Sequence, residues 1–510
     1  MTDPEVVTPE QPTLAPVSVR RSRGPLLLVG SLVLALLLGV GGWAGLSLMA
    51  GTGPQAAEIT PGNVVAFAAV DLTPGLGQQR KLANLLAKFP KAFDDGDVRV
   101  DDKDLTADVT PWLGGRFGAA MWMHNSQAYT LFVAASRDDR KAREGLERLR
   151  GREGSGKFGF VVGDGYVVAA RGTRDAQAAA EAAHAEAQAT PLAGVAAYAD
   201  AVKWLPEEHF AHAYADLAGL NQAMTTMIMS DLGDLGESEE AIPEDAITEV
   251  TSSGFFTGVP GLTGKQKGTL IVGANAVDGG VEVHYRTFGA AGTESVAPTA
   301  DLIAAVGDLS ADSAVAGSVA IAKAPAELEG MFGAPMLDPE DFDPEDFEGL
   351  TPEDIAAIKA EMAKGPDFAK AFKALDSSLL TFAMTGMQNE MPVLFATLQT
   401  KDATAAGDVA AAAKATEIPL KVTVSGNTVR IVSDGYTASA KLSGSPLFTK
   451  AIEGLPSHPD SLVYVDLTKF LSQTGADART REMAAPIKAI AAASTPLGAD
   501  SEGTIRLVIE

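Results

Sequence analysis

The segment PGNVVAFAAVDL, residues 61–72, is informative about the fold because three later segments of the chain repeat it loosely. It recurs as PEEHFAHAYADL from residue 206, as SADSAVAGSVAI from residue 310 and as PSHPDSLVYVDL from residue 456. The first two copies start 145 residues apart and the last two start 146 residues apart. Matching intervals of this kind are the signature of a duplication. We therefore predict two tandem units, residues 59–300 and residues 301–510.

Further landmarks align the two units. LFVAASRDDRKAREGLERL at 131–149 parallels LFATLQTKDATAAGDVAAAA at 394–413, and VVGDGYVVAA at 161–170 parallels IVSDGYTASA at 431–440. TPLAG from Thr190 parallels SPLFT from Ser445, and in both we expect the hydroxyl residue to cap a helix that starts with proline. The alanine-rich segment RGTRDAQAAAEAAHA is extra in the first unit, and it predicts an additional surface helix.

Hydrophobic periodicity predicts the local structure of each unit. Apolar runs and alternation predict strands at 64–70, 117–122, 129–134, 158–162, 166–170 and 503–510. Helical spacing predicts helices at 78–89, 138–149, 176–186 and 402–413. Three dipeptides are typical of hairpin turns: Asp164-Gly165, Asp278-Gly279 and Gly426-Asn427. Hairpins mixed with helices predict an α+β fold with mixed or antiparallel sheets.

A charge-free run precedes the first unit. PLLLVGSLVLALLLGVGGWAGLSLMA, residues 25–50, is long enough for a transmembrane helix and too long for the apolar region of a cleaved signal peptide. Three arginines at 20–23 precede it, which predicts a cytoplasmic N-terminus and an extracytoplasmic C-terminal region. We therefore expect a single-pass protein of the cell membrane that contacts the lipid bilayer through 25–50, with a disordered tail at 1–24 and a linker at 51–58.

Two features of the chain bear on partners. Gly41 and Gly45 form a GxxxG pair through which two membrane helices can pack as a homodimer, but the spacing is common in glycine-rich spans and chance is the favoured explanation. The formal charge of −26 argues against nucleic acid as a partner, because phosphate contacts need clustered lysine and arginine.

The chain has no cysteine, so neither a disulfide nor a thiolate metal site holds the extracytoplasmic part together.

Candidate catalytic residues have structural interpretations. Asp71, Asp216 and Asp466 end three copies of the repeated strand, where a helix N-cap is as suitable a role as a catalytic acid. The third copy has Ala320 at this place, which favours the structural role. His209 and His212 form the closest histidine pair, but residues three apart on a strand point to opposite faces and cannot share a metal.

An acidic segment is the remaining candidate site. LDPEDFDPEDFEGL, residues 337–350, lacks the ligand order of an EF-hand, so a solvated loop is favoured over a weak cation site. The carboxylates that would bind the cation are Asp338, Glu340, Asp341, Asp343, Glu345 and Asp346. We expect no cofactor and no assembled catalytic or metal motif.

Several segments resemble a known family. ITPGNVVAFAAVDLTP from residue 59, LANLLAKFP from residue 82, TPWLGGRFGAAM from residue 110 and the DGY turns resemble an actinobacterial family of single-pass membrane proteins, catalogued as domain of unknown function 3352. The resemblance runs from about residue 25 to the C-terminus and implies the same topology. It supplies no catalytic residue.

The sequence leaves three classes of function open. The leading hypothesis is a non-enzymatic module, anchored in the membrane, that binds or assembles with an unknown envelope component or protein partner. The alternative is a carrier or shield for a lipid or another apolar ligand, because alanine- and valine-rich faces can line a cavity. An exported hydrolase with unrecognised catalytic residues is the third class.

Overall fold

In the part of the chain that the structure describes, sixteen strands form one antiparallel sheet with helices packed on it. The computed structural model describes residues 53–72, 75–89, 107–220, 222–223, 267–289, 301–322, 368–388, 391–415, 419–498 and 500–510. The predicted transmembrane segment at 25–50 and the acidic segment at 337–350 lie outside these ranges. Among the described residues, no helix has both the length and the apolar character needed to cross a bilayer.

The strands alternate with short helices along the chain. The strands are β1 (Ala66–Asp71), β2 (Leu113–His124), β3 (Gln127–Ser136), β4 (Phe158–Val162), β5 (Tyr166–Arg171), β6 (Ala211–Asp216), β7 (Thr269–Val277), β8 (Gly280–Phe288), β9 (Val315–Ile321), β10 (Ser378–Gln388), β11 (Met391–Gln399), β12 (Leu420–Ser425), β13 (Thr428–Ser433), β14 (Ser461–Asp466), β15 (Ile487–Leu497) and β16 (Asp500–Ile509). The helices bounded by described residues are α1 (Leu76–Leu86), α2 (Asp139–Glu153), α3 (Ala176–Ala189), α4 (Ala196–Trp204), α5 (Leu302–Gly307), α6 (Phe368–Lys373), α7 (Ala403–Ala415), α8 (Pro446–Ile452), α9 (Leu467–Gln473) and α10 (Ala478–Ala484).

The two halves of the sheet have the same strand order. From the centre outward the first half runs β8-β7-β6-β1-β2-β3-β5-β4, and the second runs β16-β15-β14-β9-β10-β11-β13-β12. The four repeated segments found in the sequence are β1, β6, β9 and β14, and they lie beside each other in pairs. Strands β8 and β16 join the halves through antiparallel pairing from Gly280–Val508 to Arg286–Glu502. The halves therefore share one continuous hydrogen-bonded sheet.

Helices cover both faces of the sheet because successive side chains of a strand point to opposite faces and both sets are largely apolar. The front face, defined by Phe67, Trp122 and Tyr214, packs against the alanines of α3 and against Tyr198 of α4. The back face, defined by Val70 and its neighbours, packs against α1 in the first half. Farther from the centre, α2 and α7 cover the back face at equivalent places in the two halves.

Helix α3 shows why the first half carries extra sequence. Its buried residues are all alanine, which lets the helix approach strand β4 closely. Gly159 on β4 is part of this fit, since a Cβ there would lie 2.3 Å from the Cα of Gln177. In the second half, the described residues 434–441 between β13 and the next helical turn form no helix. The prediction of one additional helix in the first unit is confirmed.

The sequence alignment of the DGY segments of the two units is wrong. Asp164-Gly165 turns the hairpin between β4 and β5, whereas Asp434-Gly435 follows β13, so the DGY segments are not equivalent. The matching hairpin turn of the second half is Gly426-Asn427, between β12 and β13. Short turn sequences recur at any tight turn, so their similarity carried little positional information.

The prediction that Thr190 and Ser445 each cap the start of a helix is correct for Ser445 and wrong for Thr190. Ser445 caps α8 as expected, accepting a hydrogen bond from the Phe448 amide at 3.4 Å, with Pro446 as the first helical residue. Thr190 instead follows the last residue of α3 and caps no helix start. The turn at Leu192–Gly194 matches Leu442–Gly444, because each turn's first residue donates its amide to the segment before β1 or β9.

Candidate ligand-binding cleft

A polar cleft of about 270 Å³ opens on the front face of the first half. It lies where the ends of β1 and β2 meet the segment that leads into β6, below the helical turn Ala56–Ile59. Its lining residues are Gln55, Ala56, Ala57, Ala69, Val70, Asp71, Arg116, Glu207, His209, Phe210 and His212.

An ion pair forms one wall of the cleft. Asp71 and Arg116 lie directly opposite each other on β1 and β2, and the Arg116 Nε donates to the Asp71 Oδ2 at 3.2 Å. Arg116 Nη1 also donates to the Gly53 carbonyl at 2.9 Å, which ties the N-terminal segment to the wall. The two side chains are 26% and 24% exposed, so water and small solutes reach them.

His212 forms the floor and is held by a tyrosine. Its Nε2 lies 2.7 Å from the hydroxyl of Tyr198 on α4. Burial, together with the smaller effect of the neighbouring His209, lowers the pKa of His212 to about 3, although Asp71 acts in the opposite direction. Burial also raises the pKa of the Tyr198 hydroxyl well above its usual range. At pH 7 the hydrogen bond therefore joins a neutral imidazole to a neutral phenol.

His209 lies against His212, contrary to the prediction that the two rings point apart. Their centroids are 5.1 Å apart with the rings at 89°. The prediction assumed that both residues belong to one strand, but β6 begins at Ala211, so strand alternation does not apply to His209. The His209 Nδ1 donates to the Pro206 carbonyl at 2.9 Å, which fixes the ring.

The lowered pKa makes His212 unsuited to proton transfer near pH 7. A side chain that acts as a general acid or base works best when its pKa lies near the working pH. With a pKa of about 3, roughly one His212 in ten thousand carries the extra proton at pH 7. Asp71 and Arg116 neutralise each other. Among the described residues, no group of three or more histidine or acidic side chains is placed to hold a metal ion.

The three aspartates that end the repeated strands have different roles. Asp466 caps α9 as expected, accepting from the Lys469 amide at 3.0 Å, and Asp216 accepts from the Ala218 amide at 3.2 Å. Asp71 caps no helix in this way, because the next helix, α1, begins farther along the chain with Gly75 as its N-cap. The carboxylate of Asp71 pairs with Arg116 instead. The candidate cation ligands of the acidic segment lie outside the described residues.

The sequence offered little sign of this cleft. It singled out Asp71 and the pair His209 and His212 in separate arguments, and it missed Arg116 and Tyr198 because no local sequence pattern joins them to those residues. The available signal was internal: the repeated strand has His212 in its second copy and Leu462 at the same place in its fourth copy.

Comparison with known proteins supplies no family. No protein-family model matches the chain, and no curated protein matches it. Crystal forms III and I of TP0453 are 7% and 6% identical to the chain, and each alignment covers 48% of it and 83% or 82% of TP0453. The TM-scores are 0.25 and 0.26, values at which the likeness does not establish a shared fold.

Proposed function

We propose that this protein is a non-enzymatic binding module of the cell envelope, tethered to the membrane by residues 25–50. The observation that carries the proposal is the cleft of the first half, where a neutral His212 and a self-neutralised ion pair line an accessible pocket. Such a site offers hydrogen-bond donors and acceptors, and its buried imidazole, His212, is not poised to exchange protons near pH 7. In this arrangement the tail at 1–24 is cytoplasmic and the sheet lies outside the membrane.

The architecture is proposed to come from two tandem units, 59–300 and 301–510, after a linker at 51–58. Support comes from the equal strand order of the two halves of the sheet. The pairing of β8 with β16 gives the units a common hydrogen-bonded frame. A module of this kind presents its first-half cleft and its second-half surface in one fixed geometry to envelope partners.

The lipid-carrier alternative receives less support. Ligand sites for molecules of drug size usually measure about 300–1,000 Å³ and are mostly apolar. The cleft measures about 270 Å³, and its lining includes Asp71, Arg116 and Glu207. These properties suit a small polar ligand better than an acyl chain.

Affinity capture tests the binding function. The full chain, tagged at its C-terminus and cross-linked in intact cells, is purified from envelope fractions beside the double variant D71A/R116L. We expect an envelope component that co-purifies with the unaltered chain and is depleted with the variant. Equal recovery with both chains, or turnover of envelope substrates by the purified chain, would contradict the proposal.

Accessibility labelling tests the topology. Because the chain has no cysteine, a single introduced thiol reports one position. We expect Lys421→Cys, at an exposed position on β12, to react with a membrane-impermeant maleimide in intact cells. Thr2→Cys should react only after the cells are permeabilised. The reverse pattern would show that the sheet lies on the cytoplasmic side.

A further inference from the structure

The second half of the sheet provides an internal comparison for the cleft. On α4, Tyr198 packs edge-on against Tyr214, with centroids 5.3 Å apart and the rings at 82°. On α8, Phe448 packs in the same way against Tyr464, at 5.2 Å and 83°. Phe448 therefore holds the place of Tyr198 and lacks its hydroxyl.

The floor and the wall of the cleft also change between the halves. Two residues before each of these paired strand tyrosines stands His212 in the first half and Leu462 in the second. On the neighbouring strands, the pair Asp71–Arg116 corresponds to Ala320–Leu379, which occupy the same register on β9 and β10. The second half thus builds the same scaffold with apolar side chains.

The comparison of the two halves shows whether folding requires the polar residues of the cleft. Burying an imidazole and partly burying an ion pair cost desolvation free energy that apolar residues avoid. Because the second half forms the same strands, in the same order, with two leucines, an alanine and a phenylalanine, the polar set is not required for folding. A ligand that contacts these polar atoms accounts for their presence in the first half.

We propose that the cleft binds one small, uncharged, hydroxyl-rich ligand of about the size of a sugar ring. The volume of about 270 Å³ lies below the usual range for drug-sized ligands, so the ligand is small. Arg116 is the single cationic residue of the lining apart from histidine, and Asp71 already neutralises it. An anionic ligand would have to compete with Asp71 for Arg116, and it would also meet the carboxylate of Glu207 in the lining.

The polar atoms that line the cleft include hydrogen-bond donors and acceptors, and a ligand hydroxyl group can bond to both because it donates and accepts hydrogen bonds. Asp71 supplies acceptors, Arg116 supplies donors and the Gln55 amide supplies both. In the neutral form of His209, the Nε2 is an acceptor because the Nδ1 donates to Pro206. The ligand class rests on the proposed binding function and specifies what the cleft holds.

Histidine-selective nuclear magnetic resonance tests the proposal on the full chain in detergent micelles. The chain has six histidines, so the imidazole signals are few enough to assign by substitution. The neutral probes are glucose, N-acetylglucosamine and myo-inositol at millimolar concentrations, and the charged probes are glucose 6-phosphate and glucuronate. We expect at least one neutral probe to shift the His209 and His212 signals saturably, while the signal of His458 stays unchanged.

Variants decide whether the shifts report the cleft. D71A/R116L carries the residues of the second half and should bind the probe at least about tenfold more weakly, as expected for the loss of a charged hydrogen bond. Gln55→Ala, at an exposed side chain, tests the rim without touching the sheet and should also weaken binding. The control D308A/K441A removes an exposed ion pair of the second half and should bind as the unaltered chain does.

Three results would overturn the proposal. The first is that no neutral probe shifts the two signals, and the second is that D71A/R116L binds as tightly as the unaltered chain. The third is that only charged probes bind, which shows that the ligand class is wrong while the binding function survives. Failure of both the probes and the affinity capture from envelope fractions would refute the binding function as well.

Discussion

Replacing Arg506 by methionine should weaken the junction between the two halves of the sheet. Arg506 lies on β16 with its side chain 10% exposed, and its Nη1 donates to Glu282 on β8, the strand from the other half. Its Nη2 donates to Glu453, just beyond α8, at 3.2 Å. The guanidinium therefore joins an acidic group on each half.

The expected loss follows from what the substitution leaves behind. Glu282 is 12% exposed and would retain His284, whose Nε2 lies 3.5 Å away. Removing one partner of a buried ion pair typically costs about 3–5 kcal/mol because the other charge stays buried. Glu453 is 71% exposed and contributes little. Since the hydrogen bond from His284 to Glu282 remains, we expect Arg506→Met to lower the free energy of unfolding by about 3 kcal/mol.

Urea unfolding of the full chain, in one detergent for all variants, measures this loss through tryptophan fluorescence. The double variant E282L/R506M removes both charges and should lie within about 1 kcal/mol of the unaltered chain. Lys450→Ala breaks the exposed pair with Glu510 and should cost less than about 1 kcal/mol. A loss below about 1 kcal/mol for Arg506→Met, or a double variant as unstable as the single one, would refute the reasoning.

The same variant has a defined pH dependence. The hydrogen bond from His284 and the charge of Arg506 hold the pKa of Glu282 below its ordinary value of 4.5, although burial opposes them. A carboxyl whose pKa is lowered by folding stabilises the protein above that ordinary value, and this contribution disappears as the pH falls through the folded pKa. The stability difference between the unaltered chain and Arg506→Met should therefore narrow below about pH 4.5.

Three further substitutions use the same unfolding assay. Asp108→Asn removes the ion pairs of Asp108 with Arg148, at 2.5 Å, and with Arg152, at 2.7 Å. We expect it to lower the free energy of unfolding by about 1–3 kcal/mol at pH 7. Burial raises the pKa of Asp108, but the two arginines outweigh it and the net pKa is lowered, so this loss should shrink below pH 3.8. An equal loss at both pH values would contradict the ion-pair role. Gly159→Ala should cost about 1–3 kcal/mol because the added Cβ meets the Gln177 backbone. Its control, Gly151→Ala in helix α2, meets nothing within 4 Å and should stabilise by up to about 1 kcal/mol. Equal effects for the two glycines would refute the close approach of α3 to β4.

The sequence predicted the fold well where the pattern was periodic and local. The repeated segment placed β1, β6, β9 and β14, and the Gly426-Asn427 turn placed one hairpin, because alternation and turn residues are local signals. It did not predict that β8 of one half pairs with β16 of the other. Pairing between distant strands depends on sheet edges that a single-sequence pattern does not specify.

The cleft shows a second limit of sequence reasoning. Its wall joins residues 71 and 116, and its floor joins residues 198 and 212, so the polar set forms only when four elements come together. His209 shows how a small error in a strand boundary changes a prediction. Because β6 begins at Ala211, two residues after His209, the alternation of a strand does not set the direction of the His209 ring. Burial, which sets the pKa of His212, is likewise a property of the packed structure.

A pH titration of the His212 imidazole, followed by nuclear magnetic resonance on the full chain, tests whether the first-half cleft is a preformed binding site with a neutral imidazole held by Tyr198. We expect that the His212 signal does not titrate between pH 8 and pH 5, because its pKa lies at about 3. A midpoint near the ordinary value of 6.5 would show an imidazole that exchanges protons in this range, and the cleft would then not hold a neutral His212 at the lower pH.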